Sequence, residues 1–398
     1  TGDLSLCEKP VVNATLMAID EINDQGGIIG RKIEPIVINA KSDPEVFALE
    51  AQKLINEDKV SVIFGCWSAS CRRHIKPVIE KNNQILFHPH QCEGLEASKN
   101  IVYTGPVLNQ QVIPAVKWAF DHFGKKAFLI GSDNIYSRSA NEIIRYQMNL
   151  LKGNVAKEIY KKSDAEDFDE AAEEILKNKP DFIINTLMGL SNVNFIHSLY
   201  KKSAEMKQSM DIPMFFLSIG ENELCVLKKL LTDKGLENSV IEKIWHRFVV
   251  GNYSCWSYFQ SIDSEENHQF VKNYKRKYGH ECVLESPMES GYAGVYLWAS
   301  AVADAQSANP ERVLEKINEQ SLLAPEGIVY VDNNYYTWKK VRIGQINEKG
   351  QFDILWSSES LIPPEPYPLF KSKKEWNEFL NQQFYNWGGK WLSRKEKE

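Results

Sequence analysis

Short apolar runs alternate with segments of helical length through the first two thirds of this 398-residue chain. The runs are IEPIVI (33–38), VSVIFG (60–65), ILFHP (85–89), IVYTG (101–105), AFLIGS (127–132), DFIINTL (181–187), MFFLSI (214–219) and RFVVGNY (247–253). The segments between them place apolar residues on one helical face, as at Val46, Leu49 and Leu54. Because alternating strands and helices build parallel sheets covered on both faces, the sequence predicts an α/β fold.

Two changes of pattern indicate more than one sheet. A fresh strand opens after Phe123-Gly124-Lys125-Lys126, and hairpin-like strands follow Ala324-Pro325-Glu326-Gly327. A chain of this length is also longer than a single hydrophobic core usually accommodates. We therefore expect two domains, followed by a tail whose many aromatic residues pack on the body of the protein.

Composition excludes several classes of function. A hydrophobic content of 43% and a charged content of 25% are typical of globular proteins. The net charge of −6 gives no basic field for nucleic acid. No apolar run is long enough to cross a bilayer. The seven cysteines are dispersed without a CxxC pair, and we expect most of them to be small core residues.

The opening TGDLSLCEKP reads as a loop entering a helix. We therefore expect that residues upstream are missing, so the amino terminus does not indicate the localisation.

The junction at residues 65–70 is a candidate binding site. A buried strand ends there and a helix begins, so unpaired N–H groups and the helix dipole favour an anion or a carbonyl oxygen. Ser68 or Ser70 offers a hydroxyl, and Trp67 offers a flat wall. The alternative is that one serine only caps the helix.

The next strand ends in His88-Pro89-His90, which adds two candidate ligand-binding residues. On an extended segment, residues two apart project to one side, so His88, His90 and Cys92 form an alternative zinc or copper site. A third interpretation is that these residues only pack against the second domain. We predict no metal and no cofactor.

Nothing in the sequence requires catalysis. It contains no nucleophile elbow, phosphate loop or metalloprotease motif. The turn Gly26–Gly30 follows a helix instead of a strand, so it does not match a dinucleotide-binding loop. Glu93 and Glu96 are expected on the solvated surface. We predict that the chain is not an enzyme.

The order of several segments resembles a known family. The segments are AIDEINDQGGIIGRKIEPI, VIFGCWSASCRR, NIVYTGPVLNQQVIPAV, FLIGSDNIYSRSAN, NYSCWSYFQSID, PMESGYAGVYLW and APEGIVYVD. Together they resemble the urea and short-chain amide receptors among the type I periplasmic binding proteins. The resemblance implies two α/β lobes with three hinge crossovers, near Phe123, Asn252 and Val329, and an opening strand absent from this chain. The implied division is 1–122 with 253–329 for lobe 1, 123–252 with 330–362 for lobe 2, and 363–398 for the tail.

In the second lobe the same resemblance points to Asn134, Tyr136, Ser218 and Glu221 as ligand-binding residues. Other expected contacts differ from the family pattern. Ala69 stands where those receptors usually have serine, and His88 where they have tyrosine. Met188 and Leu190 replace a polar pair, and Asn134 itself stands where the family often has tyrosine. The resemblance therefore leaves the ligand open among amides, urea-like compounds and amino acids.

The predicted function is a periplasmic or extracytoplasmic receptor that captures a small polar solute and delivers it to an ABC permease. The alternative is a ligand-sensing domain, either of a signalling receptor or of a cytoplasmic amide-responsive regulator. Neither hypothesis involves nucleic acid or insertion of this chain into a membrane.

Overall fold

The structure of this protein is a computed structural model that describes residues 2, 5–162, 165–318 and 320–391. Its helices are α1 (Ser5–Asp24), α2 (Pro44–Asn56), α3 (Ala69–Lys81), α4 (Val112–Phe123), α5 (Ile135–Leu150), α6 (Asp169–Asn178), α7 (Leu190–Glu205), α8 (Glu221–Asp233), α9 (Asn238–Ile244), α10 (Glu265–Tyr278), α11 (Ser286–Ala305), α12 (Pro310–Ile317) and α13 (Lys373–Asn386). Its strands are β1 (Ile63–Phe64), β2 (Leu86–His88), β3 (Ile101–Tyr103), β4 (Lys126–Ser132), β5 (Asn154–Lys161), β6 (Phe182–Thr186), β7 (Met214–Phe216), β8 (Tyr253–Trp256), β9 (Ser321–Ala324), β10 (Gly327–Val331), β11 (Thr337–Trp338), β12 (Arg342–Ile346) and β13 (Phe352–Ser357). Among the described residues, no helix combines the length and the apolar character needed to cross a membrane.

The chain divides into two compact units. The first unit comprises Thr1–Gln110, Ile262–Lys340 and Ser358–Pro366, and the second comprises Gln111–Ser261, Val341–Ser357 and Tyr367–Glu398. The chain enters the second unit before α4, because Gln111 already donates from Nε2 to the carbonyl oxygens of Leu217 (3.0 Å) and Cys255 (2.9 Å). The hinge positions expected near Phe123, Asn252 and Val329 remain predictions.

In the first unit, β1, β2 and β3 form a parallel sheet with Leu86 opposite both Ile63 and Ile101. Successive side chains of a strand point to opposite faces. Phe87 therefore packs in a core with residues of α1 and α11, whereas Leu86 packs in a core with residues of α3. A second, antiparallel sheet has the order β11-β10-β9.

The second unit contains one seven-stranded sheet in the order β13-β12-β8-β7-β6-β4-β5. The five strands from β8 to β5 are parallel, and β12 and β13 are antiparallel to their neighbours. Its core contains Phe128, Ile183 and Phe216 from the strands. The predicted α/β fold with parallel sheets flanked by helices is confirmed.

Two predicted strands differ from the structure. The run at 33–38 contains no strand, and Ile36, Val37 and Ile38 are 46%, 60% and 42% exposed. An extended segment becomes a strand only when a neighbour accepts its backbone hydrogen bonds. In the described part of the chain, β1 pairs with β2 and with no other strand. A cavity of about 560 Å³ lies beside β1, and its lining includes Leu16 and Trp298.

The second difference concerns the run at 247–253. Trp245–Val249 forms a π-helical turn, and β8 begins only at Tyr253. Trp245, Phe248 and Val249 are buried in the core of the second unit. A short apolar run fits a buried helix as well as a strand, so its hydrophobicity alone misplaced the strand.

The C-terminal segment contacts the second unit. Trp376 is fully buried and donates from Nε1 to the carbonyl oxygen of Pro368 (2.9 Å). Lys371 forms an ion pair of 2.6 Å with Glu142 of α5. These contacts attach α13 to the body of the second unit.

Candidate functional site

In the first unit, the candidate residues of the 65–70 junction lie beyond the carboxyl end of β1. Ser68 caps α3, with its Oγ accepting a hydrogen bond from the Cys71 N–H at 3.2 Å. The ring of Trp67 packs on the ring of His90, with centroids 3.9 Å apart and planes inclined by 32°. Ser70 lies in the first helical turn and is buried. The structure thus brings Trp67 and His90 together beside the helix amino terminus.

A disulfide between Cys66 and Cys71 encloses this junction. Both cysteines are buried in the core of the first unit, as expected, but their pairing was not predicted from the sequence. Their separation of five residues across a strand-to-helix turn was the signal in the sequence, but it is not one of the spacings typical of disulfide scaffolds. The bond ties the exit of β1 to the first turn of α3.

His88 lies on the α3 side of the sheet and not with Trp67 and His90. It is fully buried, and its Nε2 is 3.2 Å from Nη1 of Arg72. Burial and the adjacent guanidinium hold the pKa of His88 well below its usual range, so the ring is neutral and Nε2 can accept from Arg72. Among the residues that the structure describes, no group of three potential ligands could hold a metal ion, so His88, His90 and Cys92 do not converge as the zinc hypothesis required.

Arg72 belongs to a buried ionic cluster that sequence reasoning missed. Its guanidinium contacts Glu93 at 2.7 Å from Nη2 and also pairs with Glu96 through Nε. Arg73 makes a second 2.7 Å contact with Glu93, and the Tyr103 hydroxyl donates to Glu96 at 3.0 Å. The expectation of surface glutamates is therefore wrong, because their side chains are 0% and 4% exposed.

The charges of this cluster compensate one another. Burial alone would raise the pKa of Glu96, but the cationic groups of Arg72, Arg73 and Lys76 outweigh it and lower that pKa to about 2. The helical spacing of Arg72, Ile75 and Ile79 places all three on the buried face of α3. That spacing was the available signal that Arg72 is buried.

In the second unit, three strand ends meet through candidate residues. Asn134 follows β4 and caps α5, since its Oδ1 accepts from the Ser137 N–H at 2.9 Å. Its Nδ2 lies 3.3 Å from Sδ of Met188, which follows β6. Ser218 follows β7, and its hydroxyl donates to the carbonyl oxygen of Leu187. Asn134, Met188 and Ser218 thus lie together at the carboxyl edge of the sheet.

Tyr136 points into the second unit. It is 4% exposed, and its hydroxyl donates to Oε1 of Gln111 at 2.7 Å. This contact orients the first turn of α5 against the segment that enters α4.

Glu221 is the first residue of α8 and is 1% exposed. Its Oε1 accepts a hydrogen bond from the Gln260 N–H at 2.7 Å. Burial raises the pKa of this carboxyl to about 8, so it is mostly protonated at neutral pH. A protonated carboxyl can donate one hydrogen bond and still accept another.

Each unit therefore presents a capped helix amino terminus at the carboxyl edge of its parallel strands. In open α/β sheets, this edge is where ligands bind. In the first unit the groups at this edge are serine hydroxyls and two stacked rings, and in the second unit they are an amide, a hydroxyl and a neutral carboxyl. Each set by itself suits recognition of a small molecule.

This chain belongs to the periplasmic binding proteins, because the sequence profile of the periplasmic binding protein domain matches residues 1–373. The family expected from the resemblance is confirmed at this level. The chain is a binding protein and not an enzyme.

Solved structures with a similar fold are solute-binding proteins. One is the solute-binding protein of an ABC transporter from R. palustris in complex with benzoate, with a TM-score of 0.76 at 15% identity over 92% of this chain and 96% of that one. Leucine-binding protein LivK from Thermotoga maritima gives 0.73 at 18% identity over 92% and 96%. LivJ from Streptococcus pneumoniae, in complex with isoleucine, gives 0.75 at 17% identity over 92% and 97%. At these identities the likeness establishes the fold.

A curated relative shares a shorter stretch. Limonene hydroxylase from Geobacillus stearothermophilus is 39% identical over 120 residues, which are 30% of this chain. The match spans 22% of the length of that protein.

Proposed function

We propose that this chain is the solute-binding receptor of an ABC transporter and captures a small polar ligand, namely an amide, a urea-like compound or an amino acid. The observation that carries the proposal is the pair of capped helix amino termini, Ser68 on α3 and Asn134 on α5, each at a carboxyl edge of parallel strands. The remaining N–H groups of such a first turn bind a carbonyl or carboxylate oxygen. All three ligand classes contain one.

The stacked Trp67 and His90 rings favour a ligand with a planar group. Burial lowers the pKa of His90 to about 3, so this wall is uncharged at neutral pH. A planar amide or carboxylate can lie against an aromatic face while its oxygen reaches the helix N–H groups. The benzoates and branched-chain amino acids of the structural relatives therefore belong in the same search.

We propose a periplasmic or other extracytoplasmic location, with an ABC permease as the partner. The Cys66–Cys71 disulfide supports this proposal, since such bonds persist in oxidising compartments and are rare in the cytoplasm. It favours a transport receptor over a cytoplasmic regulator. The hydroxylase activity of the curated relative is not proposed here, because the shared stretch is about a fifth of that protein.

The test is a thermal-shift screen with urea, acetamide, leucine, isoleucine, benzoate, 4-hydroxybenzoate and zinc. A ligand at 100 times its Kd adds about 2.7 kcal/mol to the free energy of unfolding, and therefore raises Tm. We expect one of the organic solutes to raise Tm, and Asn134→Ala to weaken that ligand's binding.

The matched control is Asn309→Ala. Asn309 caps α12 by accepting from the N–H groups of Glu311 and Arg312, as Asn134 caps α5, but it is not at the proposed site. Both variants lose a cap, so both should lower the Tm of the free protein by a similar amount. A screen without a hit, or equal ligand affinity in both variants, would refute the proposal.

A further inference from the structure

The Cys66–Cys71 disulfide encloses three of the candidate ligand-binding residues of the first unit. Cys66 follows β1 and Cys71 is the third residue of α3, and their Cα atoms are 5.9 Å apart. The four residues between them, Trp67–Ser70, form a loop that we call the cystine loop. Trp67, Ser68 and Ser70 all belong to it.

The backbone of this junction is unfavourable at Cys66. Gly65 and Cys66 have φ angles of 142° and 70°. Glycine adopts such angles readily, but a residue with a Cβ, such as Cys66, pays a steric penalty in the left-handed region. The conformation of the cystine loop is therefore imposed by its contacts, which include the disulfide, the Ser68 cap and the Trp67–His90 stack.

The rest of α3 is anchored without the disulfide. Ile75 and Ile79 are buried in the core of the first unit. Arg72 holds the same helix through its contacts with Glu93 and Glu96. Loss of the disulfide should therefore loosen the cystine loop and leave the body of the helix in place.

We propose that Cys66 and Cys71 are positioning residues: their disulfide holds the cystine loop in the conformation that captures ligand, and its reduction lowers the affinity for ligand. The inference rests on the proposed function. Reduction by a dithiol breaks the S–S bond, places two electrons and two protons on the cysteines as two thiols, and leaves the dithiol as a cyclic disulfide.

Cys92 does not provide an internal route for this exchange. Its thiol lies in the same buried cluster as the disulfide. Burial raises its pKa to about 12, so it remains protonated, whereas attack on a disulfide requires a thiolate. An external dithiol is therefore the reductant that the test uses.

The experiment compares the oxidised protein, the same protein after dithiothreitol, and Cys71→Ser. Cys225→Ser is the matched control, because Cys225 is an exposed free cysteine of the second unit. Hydrogen exchange is measured for the amides of Cys71 and Arg72, which donate to Oγ and the carbonyl oxygen of Ser68 in the cystine loop, and for the amides of residues 75–81 other than Pro77. Affinities for acetamide, leucine and 4-hydroxybenzoate are measured separately by calorimetry.

We expect exchange at positions 71 and 72 to become at least about tenfold faster after reduction and in Cys71→Ser, with little change at residues 75–81. If the loosened loop holds the competent conformation about a tenth of the time, Kd rises about tenfold. Cys225→Ser should match the wild type in both measurements. The reduced wild-type protein keeps the test valid if Cys71→Ser folds poorly.

Unchanged exchange at positions 71 and 72 would overturn the inference. Faster exchange with an unchanged Kd would also overturn it, because the disulfide would then serve stability alone. A third outcome separates the inference from the proposed function. If the oxidised protein binds none of the three probes, but hydrogen exchange at positions 71 and 72 still rises on reduction, then the disulfide does hold the cystine loop, and only the proposed function loses its support.

Discussion

The buried position of Arg72 gives the most quantitative prediction. In Arg72→Met the side chain keeps much of its volume but loses the charge that faces Glu93 and Glu96. Removing one partner of a buried ion pair typically costs about 3 to 5 kcal/mol, because the other charge stays buried and unpaired. Arg73 still contacts Glu93, and Lys76 lies 3.9 Å from Glu96. We therefore expect the lower end of that range, about 3 kcal/mol at pH 7.

The assay is urea denaturation combined with hydrogen exchange at the amides of β2 and β3, which reports on the first unit specifically. Arg145→Met is the matched control. Arg145 also pairs with two glutamates, Glu142 and Glu158, but its side chain is 45% exposed. Exposed ion pairs contribute little to stability, so the free energy of unfolding of the control should stay within about 1 kcal/mol of the wild-type value.

The cost should also depend on pH. In the wild type the pKa of Glu96 is about 2, below the value of about 4.3 in unfolded chains, so its ionised form stabilises the protein above pH 4.3. That contribution is lost progressively as the pH falls below about 4.3. Without Arg72, burial shifts the pKa of Glu96 upwards, and protonation relieves the unpaired charge. The cost of Arg72→Met should therefore be smaller at pH 4 than at pH 7, and a cost below about 1 kcal/mol, or one equal at both pH values, would refute the reasoning.

Three further predictions test other parts of the chain. Because the pKa of Glu221 is raised to about 8, the folded state binds a proton that the unfolded state has lost, so the free energy of unfolding falls as the pH rises from about 5 to 8. Glu221→Gln should remove this pH dependence in urea denaturation. Trp376→Ala should destabilise the second unit by about 3 to 5 kcal/mol in the same assay, whereas Tyr385→Ala, at a site 75% exposed, should have little effect. An apolar strand of about six residues with a short connecting loop, fused ahead of Thr1, should pair with the edge of β1 that has no strand partner among the described residues, and should raise Tm by about 5 °C. A polar strand of equal length should leave Tm unchanged.

The fold was predictable where the period of the apolar residues matched a fully buried strand. The runs that contain β2, β3, β4 and β6 are continuous and apolar, as strands covered on both faces require. The run at 33–38 is also mostly apolar, although it contains Glu34 and Pro35, and it has no strand partner in the described structure. Hydrophobicity therefore predicts that a segment can form a strand, but a neighbour decides whether it does.

The candidate site was predictable where its interactions are local. Ser68 and Asn134 cap helices that begin immediately after them, so residue type and position were sufficient. The stack of Trp67 on His90 joins two strand ends and depends on the parallel pairing of β1 with β2. His88 precedes His90 by two residues, yet it contacts Arg72, because β2 ends at His88 and the alternation of an extended strand stops there.

Glu93 and Glu96 show why charged residues were the hardest to place. Nothing near them in the sequence separates them from surface glutamates, since their partners Arg72 and Arg73 lie about twenty residues earlier on a helix. The helical spacing nevertheless buries Arg72, and a buried guanidinium is too costly without an anion. A buried cation therefore requires carboxylates from elsewhere in the chain. Glu93 and Glu96, in the segment that follows β2, were the candidates in the sequence. Burial of one charge, once established from periodicity, predicts burial of the opposite charge.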